Sequence, residues 1–202
     1  LNTNLVIAGG DMAFTGAISG NGGLGCYSGG TMRLGGTLAN TFTGTLLVRC
    51  PLMELAKTSG VKAYSGPLIV GGGANGVNEV RWLNAYQNVG ASVTLYDNAL
   101  LNLNNFFEDL GPLTFNGGAI TTGTGELGLY GLVIVNSNSN PATISGKVGL
   151  PSGYREFRVA DGAASPDLQI NAVVLGAGNV QKTGNGQMAL AGANTYAGLT
   201  LL

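Results

Sequence analysis

The chain has 202 residues, of which 45% are hydrophobic, only 9% are charged and 36 are glycine, and its formal net charge is −1 with no histidine. The few lysines and arginines are scattered, which argues against nucleic-acid binding, and no apolar run is long enough for a membrane-spanning helix. Without histidine, the usual general base and most transition-metal sites are excluded. Frequent turn residues combined with a large apolar content predict an all-β chain of many short strands.

Near the N-terminus, the segment GNGGLG at residues 20–25 formally matches the glycine motif of dinucleotide-binding proteins. That motif needs a helix to follow it, and residues 26–30 (CYSGG) do not begin one. We therefore interpret the segment as a turn.

The middle of the chain consists of short alternating segments separated by glycine, asparagine or aspartate. Many read apolar-x-apolar, the pattern of a three-residue strand with one face toward a core. Leu101 and Leu103, for example, flank an asparagine and are expected to point inward. Residues 79–89 could form a short helix but are equally compatible with a strand. In chain order, the strand candidates are 68–70, 80–83, 92–95, 100–103, 113–115, 126–129, 132–135, 143–145, 157–159 and 168–170.

Two distant parts of the chain resemble each other at three successive places. Residues 18–24 match 174–180, residues 30–34 match 186–190, and residues 40–44 match 194–198. A repeat built from strands this short predicts a β-solenoid rather than a sandwich.

With roughly 20 to 25 residues per coil, we expect about eight to ten coils and, at ~4.8 Å per coil, a rod of roughly 40 to 50 Å. Stacking explains the low charge, because like charges in successive coils would repel, whereas asparagines can hydrogen-bond along the stack.

Residues 182–198 (KTGNGQMALAGANTYAG) resemble the autotransporter-associated β-strand repeat, whose consensus is roughly KTGxGxLxLxGxNTYxGxT. The N-terminal copy departs from it, since residues 26–29 replace Lys-Thr-Gly and Thr37 and Leu38 are inserted. The resemblance implies a right-handed, single-stranded parallel β-helix from the passenger region of a bacterial surface or secreted protein. Residues 1–202 would then be one solenoid module with an extracellular or cell-surface location.

Parallel β-helices also occur in polysaccharide-processing enzymes, which need clustered carboxylates. The only adjacent pair here is Glu108 and Asp109; neighbours on a strand point to opposite faces, and we expect a solvated turn at this pair. Residues 71–76 faintly resemble a glycine-rich calcium repeat but lack its recurring aspartate, so we expect a loop. We predict no catalytic residue, cofactor or metal site.

Trp82 and Tyr86 are the candidates for an aromatic platform on which a sugar could stack. The alternative, which we favour, is that both pack at the edge of the core.

Cys26 and Cys50 are the only cysteines, 24 residues apart, which is about one coil. Stacking in successive coils would bring their Cα atoms within disulfide range. The alternative that we favour is two free, buried thiols that act as small hydrophobic side chains.

The C-terminal copy of the repeat stops at Leu202, which aligns with Val48. Residues 53–55, the next strand of the N-terminal copy, align without a gap with residues 5–7 of a following chain. Because solenoid ends normally carry polar caps, we expect copies to continue head to tail, as tandem repeats or as filament subunits; an arbitrary boundary within a longer passenger is the alternative. The residues expected at this contact are Leu1, Leu5, Ile7, Leu201 and Leu202.

The expected function is therefore a non-enzymatic structural module: a passenger stalk, an adhesin or a fibre-forming repeat. A carbohydrate-binding adhesin and a polysaccharide-processing enzyme are the alternatives. The expected partners are further copies of the chain and a surface glycan or other cell-surface partner, with no nucleic acid and no membrane span in this segment.

Overall fold

The computed structural model describes residues 1–27, 29–73, 76–88 and 90–202, and within them the chain forms 23 short strands and no helix. The strands are β1 (Leu5–Ala8), β2 (Met12–Phe14), β3 (Leu24–Tyr27), β4 (Thr31–Gly36), β5 (Leu46–Arg49), β6 (Leu52–Lys57), β7 (Leu68–Val70), β8 (Asn78–Trp82), β9 (Val93–Tyr96), β10 (Ala99–Asn102), β11 (Glu108–Leu110), β12 (Leu113–Asn116), β13 (Ala119–Thr121), β14 (Leu127–Leu129), β15 (Val133–Val135), β16 (Ala142–Ser145), β17 (Lys147–Leu150), β18 (Tyr154–Val159), β19 (Leu168–Ile170), β20 (Val173–Gly176), β21 (Asn179–Thr183), β22 (Met188–Leu190) and β23 (Thr200–Leu201).

The strands stack into three parallel sheets, so the chain is an all-β solenoid of about nine turns, as predicted. The first sheet has the order β1-β3-β5-β7-β9-β12-β15-β18-β21-β23, the second β2-β4-β6-β8-β10-β13-β16-β19-β22, and the third β11-β14-β17-β20. Leu5 pairs with Leu24, 19 residues later, whereas Leu52 pairs with Glu79, 27 residues later, so one coil takes from 19 to 27 residues. At ~4.8 Å per strand, the first sheet spans about 43 Å.

The core is a single column of apolar side chains that runs along the inside of the stack. Side chains alternate along each strand, so Leu113 and Phe115 of β12 point inward while Thr114 between them is only half-buried. Leu101 and Leu103 are fully buried, which confirms the inward register predicted for them.

Residues 79–89, for which a helix was the alternative, begin within strand β8 and continue as bends without a helix. Residue 89 lies outside the described residues. A strand is favoured here because Val80 and Trp82 alternate inward and pair with Met53 and Leu55 of the preceding coil.

The glycine-rich segment at residues 20–25 is a turn that leads into β3, as predicted. Gly22 passes so close to the preceding coil that an added Cβ would lie 2.0 Å from the carbonyl oxygen of Thr3, which explains the need for glycine. The loop expected at residues 71–76 includes Ala74 and Asn75, which lie outside the described residues.

The outward ladders avoid stacking like charges. On the second sheet, Arg33, Glu54 and Arg81 lie opposite one another in successive coils, and Arg33 Nη1 is 3.3 Å from Glu54 Oε2. At the ends of two neighbouring strands of the first sheet, β12 and β15, Asn136 Nδ2 donates to Asn116 Oδ1 at 2.7 Å. Opposite charges and hydrogen-bonded amides in successive coils thus avoid the repulsion that a ladder of like charges would cause.

Candidate functional site

Cys26 and Cys50 form a disulfide with their Cα atoms 5.3 Å apart, rather than the two free thiols favoured from sequence. The two residues do not stack directly, because Cys26 lies opposite Val48. Cys50 follows two positions later on the same inward side and reaches Cys26 diagonally. Both side chains are buried, and the bond ties the second coil to the third.

Trp82 and Tyr86 do not form a surface platform. Trp82 is fully buried, and its Nε1 donates to Glu108 Oε2 at 2.6 Å. Tyr86 is 47% exposed and has a φ of 55°. A sugar cannot stack on a buried indole, so Trp82 is wrong as a platform residue. Core packing, expected for both residues, holds for Trp82 alone.

Glu108 is a buried carboxylate inside the coil. It accepts hydrogen bonds from Trp82 Nε1, from the Gln87 backbone N–H at 2.6 Å and from the Asp109 backbone N–H at 3.0 Å. Burial raises the pKa of Glu108, and these hydrogen bonds oppose the rise. The predicted solvated turn at Glu108 and Asp109 is wrong, because both belong to β11. As expected for strand neighbours, Glu108 points inward and Asp109 outward.

Other buried polar groups continue this network toward the N-terminal coils. Gln87 Oε1 accepts from the Lys57 backbone N–H at 2.8 Å, and Gln87 Nε2 donates to the Lys57 carbonyl oxygen at 3.1 Å. The Lys57 side chain runs inside the stack to donate to the Gly16 carbonyl oxygen at 2.8 Å, and burial lowers its pKa. These groups are closed to solvent and hold one coil to the next, so they offer a substrate nothing to contact.

The outer face of the third sheet carries a shallow groove that the sequence did not predict. Gly128 and Gly149 lie opposite each other in its floor, and Asp109, Glu126 and Tyr130 are among the residues that line it. An added Cβ at Gly128 would lie 2.2 Å from Asp109 Oδ1, and one at Gly149 would lie 2.2 Å from Glu126 Oε1. The two carboxylates therefore fill the space that the glycines leave, and burial raises the pKa of Asp109.

One signal in the sequence could have indicated this groove. Gly128 sits between Leu127 and Leu129, and Gly149 sits between two apolar residues in the same way. A glycine between two inward apolar residues occupies an outward strand position. Two such glycines one coil apart leave a strip of the sheet face with no side chain of its own, which side chains of neighbouring residues can cover.

The five residues expected at a head-to-tail contact lie in the first and last coils. Leu5 and Ile7 belong to β1 and Leu201 to β23, which are the two edge strands of the first sheet. Leu1 accepts a hydrogen bond from the Gly22 N–H, and Leu202 is almost fully exposed. The head-to-tail contact itself stays a prediction.

The structure does not support the register proposed for that contact. Leu5 pairs with Leu24 in the first sheet, whereas Met53, with which it was aligned, belongs to the second sheet. Short apolar-x-apolar strands look alike in sequence whichever sheet they join. The pattern therefore could not show that residues 5–7 belong to the first sheet and residues 53–55 to the second.

Two common kinds of functional feature do not occur in the part of the chain that the structure describes. It holds no group of three or more side chains that could bind a metal ion. No helix in it is long and apolar enough to cross a membrane.

Comparison of the chain with protein-family models, with curated proteins and with solved structures gave no significant match.

Proposed function

We propose that this chain is a non-enzymatic structural module of a bacterial surface or secreted protein, a rod segment that holds other parts of an assembly apart. The observation that carries the proposal is the uninterrupted stack of ten strands in the first sheet, which spans about 43 Å. In a solenoid each coil contacts only its neighbours, so length is gained by adding coils and stability is shared along the rod.

The disulfide supports a location outside the cytosol. Disulfides persist in oxidising compartments and are rare where glutathione and thioredoxin keep thiols reduced. Both cysteines of the chain are used in this one bond. The resemblance of residues 182–198 to the autotransporter-associated repeat supports a bacterial passenger in particular.

The edge strands support continuation of the rod. The outer edges of β1 and β2 are unpaired at one end, as are those of β22 and β23 at the other, and exposed strand edges are templates for further pairing. We propose that a second copy of the chain covers these edges. Sizing of the 202-residue chain over a range of concentrations tests this, because the particle mass should then rise with concentration.

The experiment that tests the module's compartment is to produce the chain in bacteria with and without an export signal. Alkylation of the denatured protein should find no free thiol in the exported form and two in the cytosolic form. The exported form should also unfold at a higher urea concentration, because the disulfide restricts its unfolded state.

The matched control is the double variant Cys26→Ala with Cys50→Ala, whose unfolding midpoint should be the same from either compartment. Free thiols in the exported chain, or equal stability of the oxidised and reduced forms, would count against an extracellular module.

A further inference from the structure

Two aromatic residues on the surface lie beside the groove of the third sheet. The Tyr86 N–H donates to the Phe107 carbonyl oxygen at 3.1 Å, which places the two residues in adjacent coils. Both side chains are about half exposed. Phe107 immediately precedes β11 and is exposed, and Asp109, two residues later, also faces outward. The Glu108 N–H donates to the Glu126 carbonyl oxygen at 3.1 Å, which places Phe107 and Glu126 in adjacent coils. Phe107 therefore lies next to the Asp109 end of the groove, outside the residues that line it, and Tyr86 lies one coil further away.

The buried network fixes the position of Tyr86. A φ of 55° places Tyr86 in the left-handed region, which is unfavourable for a residue with a side chain. The next N–H, of Gln87, is held by Glu108 Oε2 at 2.6 Å, and the preceding carbonyl, of Ala85, accepts from Gln87 Nε2 at 3.2 Å. Such strain persists only where the surroundings impose it, and it is most frequent at functional sites.

The size and lining of the groove limit what it can hold. Its volume is about 190 Å³, below the usual range for drug-sized ligands, which suits a single ring-sized group. The Tyr130 ring lies over the floor, with its Cε2 atom 3.1 Å from an added Cβ of Gly128. Asp109 and Glu126 are acceptors, and neither lysine nor arginine is in the lining. Two carboxylates are too few for a calcium ion, which takes six to eight oxygen ligands.

We propose that this groove, together with Phe107 and Tyr86, binds a neutral saccharide. Sugar rings present flat C–H faces that pack on exposed aromatic rings, and their hydroxyls donate hydrogen bonds to carboxylates. One ring lies in the groove against Tyr130, with its hydroxyls on the Asp109 and Glu126 carboxylates that cover the two glycines, and the neighbouring ring lies against Phe107. This binding goes beyond the structural role, because the rod then presents a glycan contact on one of its three sides.

The test uses the full chain on a printed array of neutral and uronic-acid-containing oligosaccharides, followed by titration calorimetry with the best neutral binder. Asp109→Asn and Glu126→Gln preserve side-chain shape but remove the charged acceptor, and each should weaken binding about tenfold or more. Phe107→Ala should weaken it similarly. The matched controls are Asp161→Asn, at an exposed carboxylate outside the groove, and Tyr96→Ala, at an aromatic residue away from the third sheet; both should bind as the unchanged chain does.

Several results would overturn the proposal. One is a chain that binds no neutral oligosaccharide, and another is binding that the groove variants leave unchanged while their urea midpoints show them folded. A preference for acidic sugars would point to Lys147, which precedes Val148, the partner of Leu127, and lies outside the groove lining. Binding of Ca²⁺ alone or of a lysine-rich peptide, in place of the sugar, would assign the carboxylates to another ligand.

Discussion

Asn40 and Asn194 make the same hydrogen bond near opposite ends of the rod. Asn40 Oδ1 accepts from the Ile18 N–H at 2.8 Å, and Asn194 Oδ1 accepts from the Val174 N–H at 2.9 Å. The residue after each asparagine donates its N–H to the carbonyl oxygen of the same partner, at 2.8 Å in both copies. Each of these two asparagines therefore joins its coil to the preceding coil through its side-chain oxygen.

Asn40 and Asn194 should contribute differently to the free energy of unfolding. Asn40 is fully buried, and its Nδ2 also donates to the Ala63 carbonyl oxygen at 2.8 Å, whereas Asn194 is only half-buried. Leaving buried polar partners unpaired costs roughly 1 to 3 kcal/mol each, so Asn40→Ala should lower the free energy of unfolding by about 2 to 4 kcal/mol and Asn194→Ala by about 1 kcal/mol. Urea unfolding of both variants measures this, and equal losses would contradict it.

The two equivalent asparagines, Asn40 and Asn194, show why the fold could be predicted from the sequence. A solenoid repeats one backbone conformation from coil to coil, so the residues that this conformation requires recur in the sequence. Examples are the asparagine at 40 and 194 and the glycines that let neighbouring coils approach. The alternation of Leu101, Asn102 and Leu103 indicates inward and outward positions for the same reason. Such repeating local patterns can be recognised in the sequence without knowing which residues each strand pairs with.

Contacts that occur only once in the fold, between residues distant in the sequence, could not be predicted. The bond between Trp82 and Glu108 spans 26 residues and occurs once, so no pattern indicates it. The diagonal disulfide needs Cys50 to fall two positions beyond Val48, a detail of register. The outward glycines of the groove can be recognised in the sequence, but the folding of Asp109 and Glu126 over glycines of the following coil depends on how the coils stack and could not be predicted.

Leu103→Ala should destabilise the rod by about 2 to 5 kcal/mol, because it removes a fully buried side chain and leaves a cavity. Leu38→Ala is the matched control: Leu38 is 62% exposed, and its substitution should change stability by less than about 0.5 kcal/mol. Urea unfolding monitored by circular dichroism measures both. A Leu103→Ala variant as stable as the control would mean that the core does not include this position.

Reduction of the disulfide between Cys26 and Cys50 should lower the free energy of unfolding by roughly 3 kcal/mol, the value expected for a closed loop of about this length. Both sulfurs are buried, so dithiothreitol should act slowly on the folded chain and quickly in urea. Parallel urea titrations with and without reductant measure the difference. If the two curves coincide, the bond does not restrict the unfolded state.

The buried carboxylate of Glu108 should make stability depend on pH in a defined direction. Its pKa in the folded chain is raised above the ordinary value of 4.5, chiefly by burial. The folded state therefore holds the proton more tightly, and this contribution is complete below about pH 4.5 and is lost as pH rises through the folded pKa.

Glu108→Gln removes that titration. The stability of the unchanged chain relative to this variant should therefore fall as pH rises above about 4.5 and through the raised pKa of Glu108. Fluorescence of Trp82, the only tryptophan in the chain and a hydrogen-bond donor to Glu108, follows the unfolding. A difference that stays constant with pH, or that grows as pH rises, would contradict the raised pKa.

The most direct test of a rod with coil-by-coil stability is to pull the chain by its two ends in a single-molecule force experiment. We expect successive releases of about 65 to 90 Å, the extended length of one coil of 19 to 27 residues. The segment between Cys26 and Cys50 should stay closed until reductant is added, and its opening should then add about 80 Å. A single release of the whole chain at low force, with no steps and no effect of reductant, would contradict a structural module built from independently held coils.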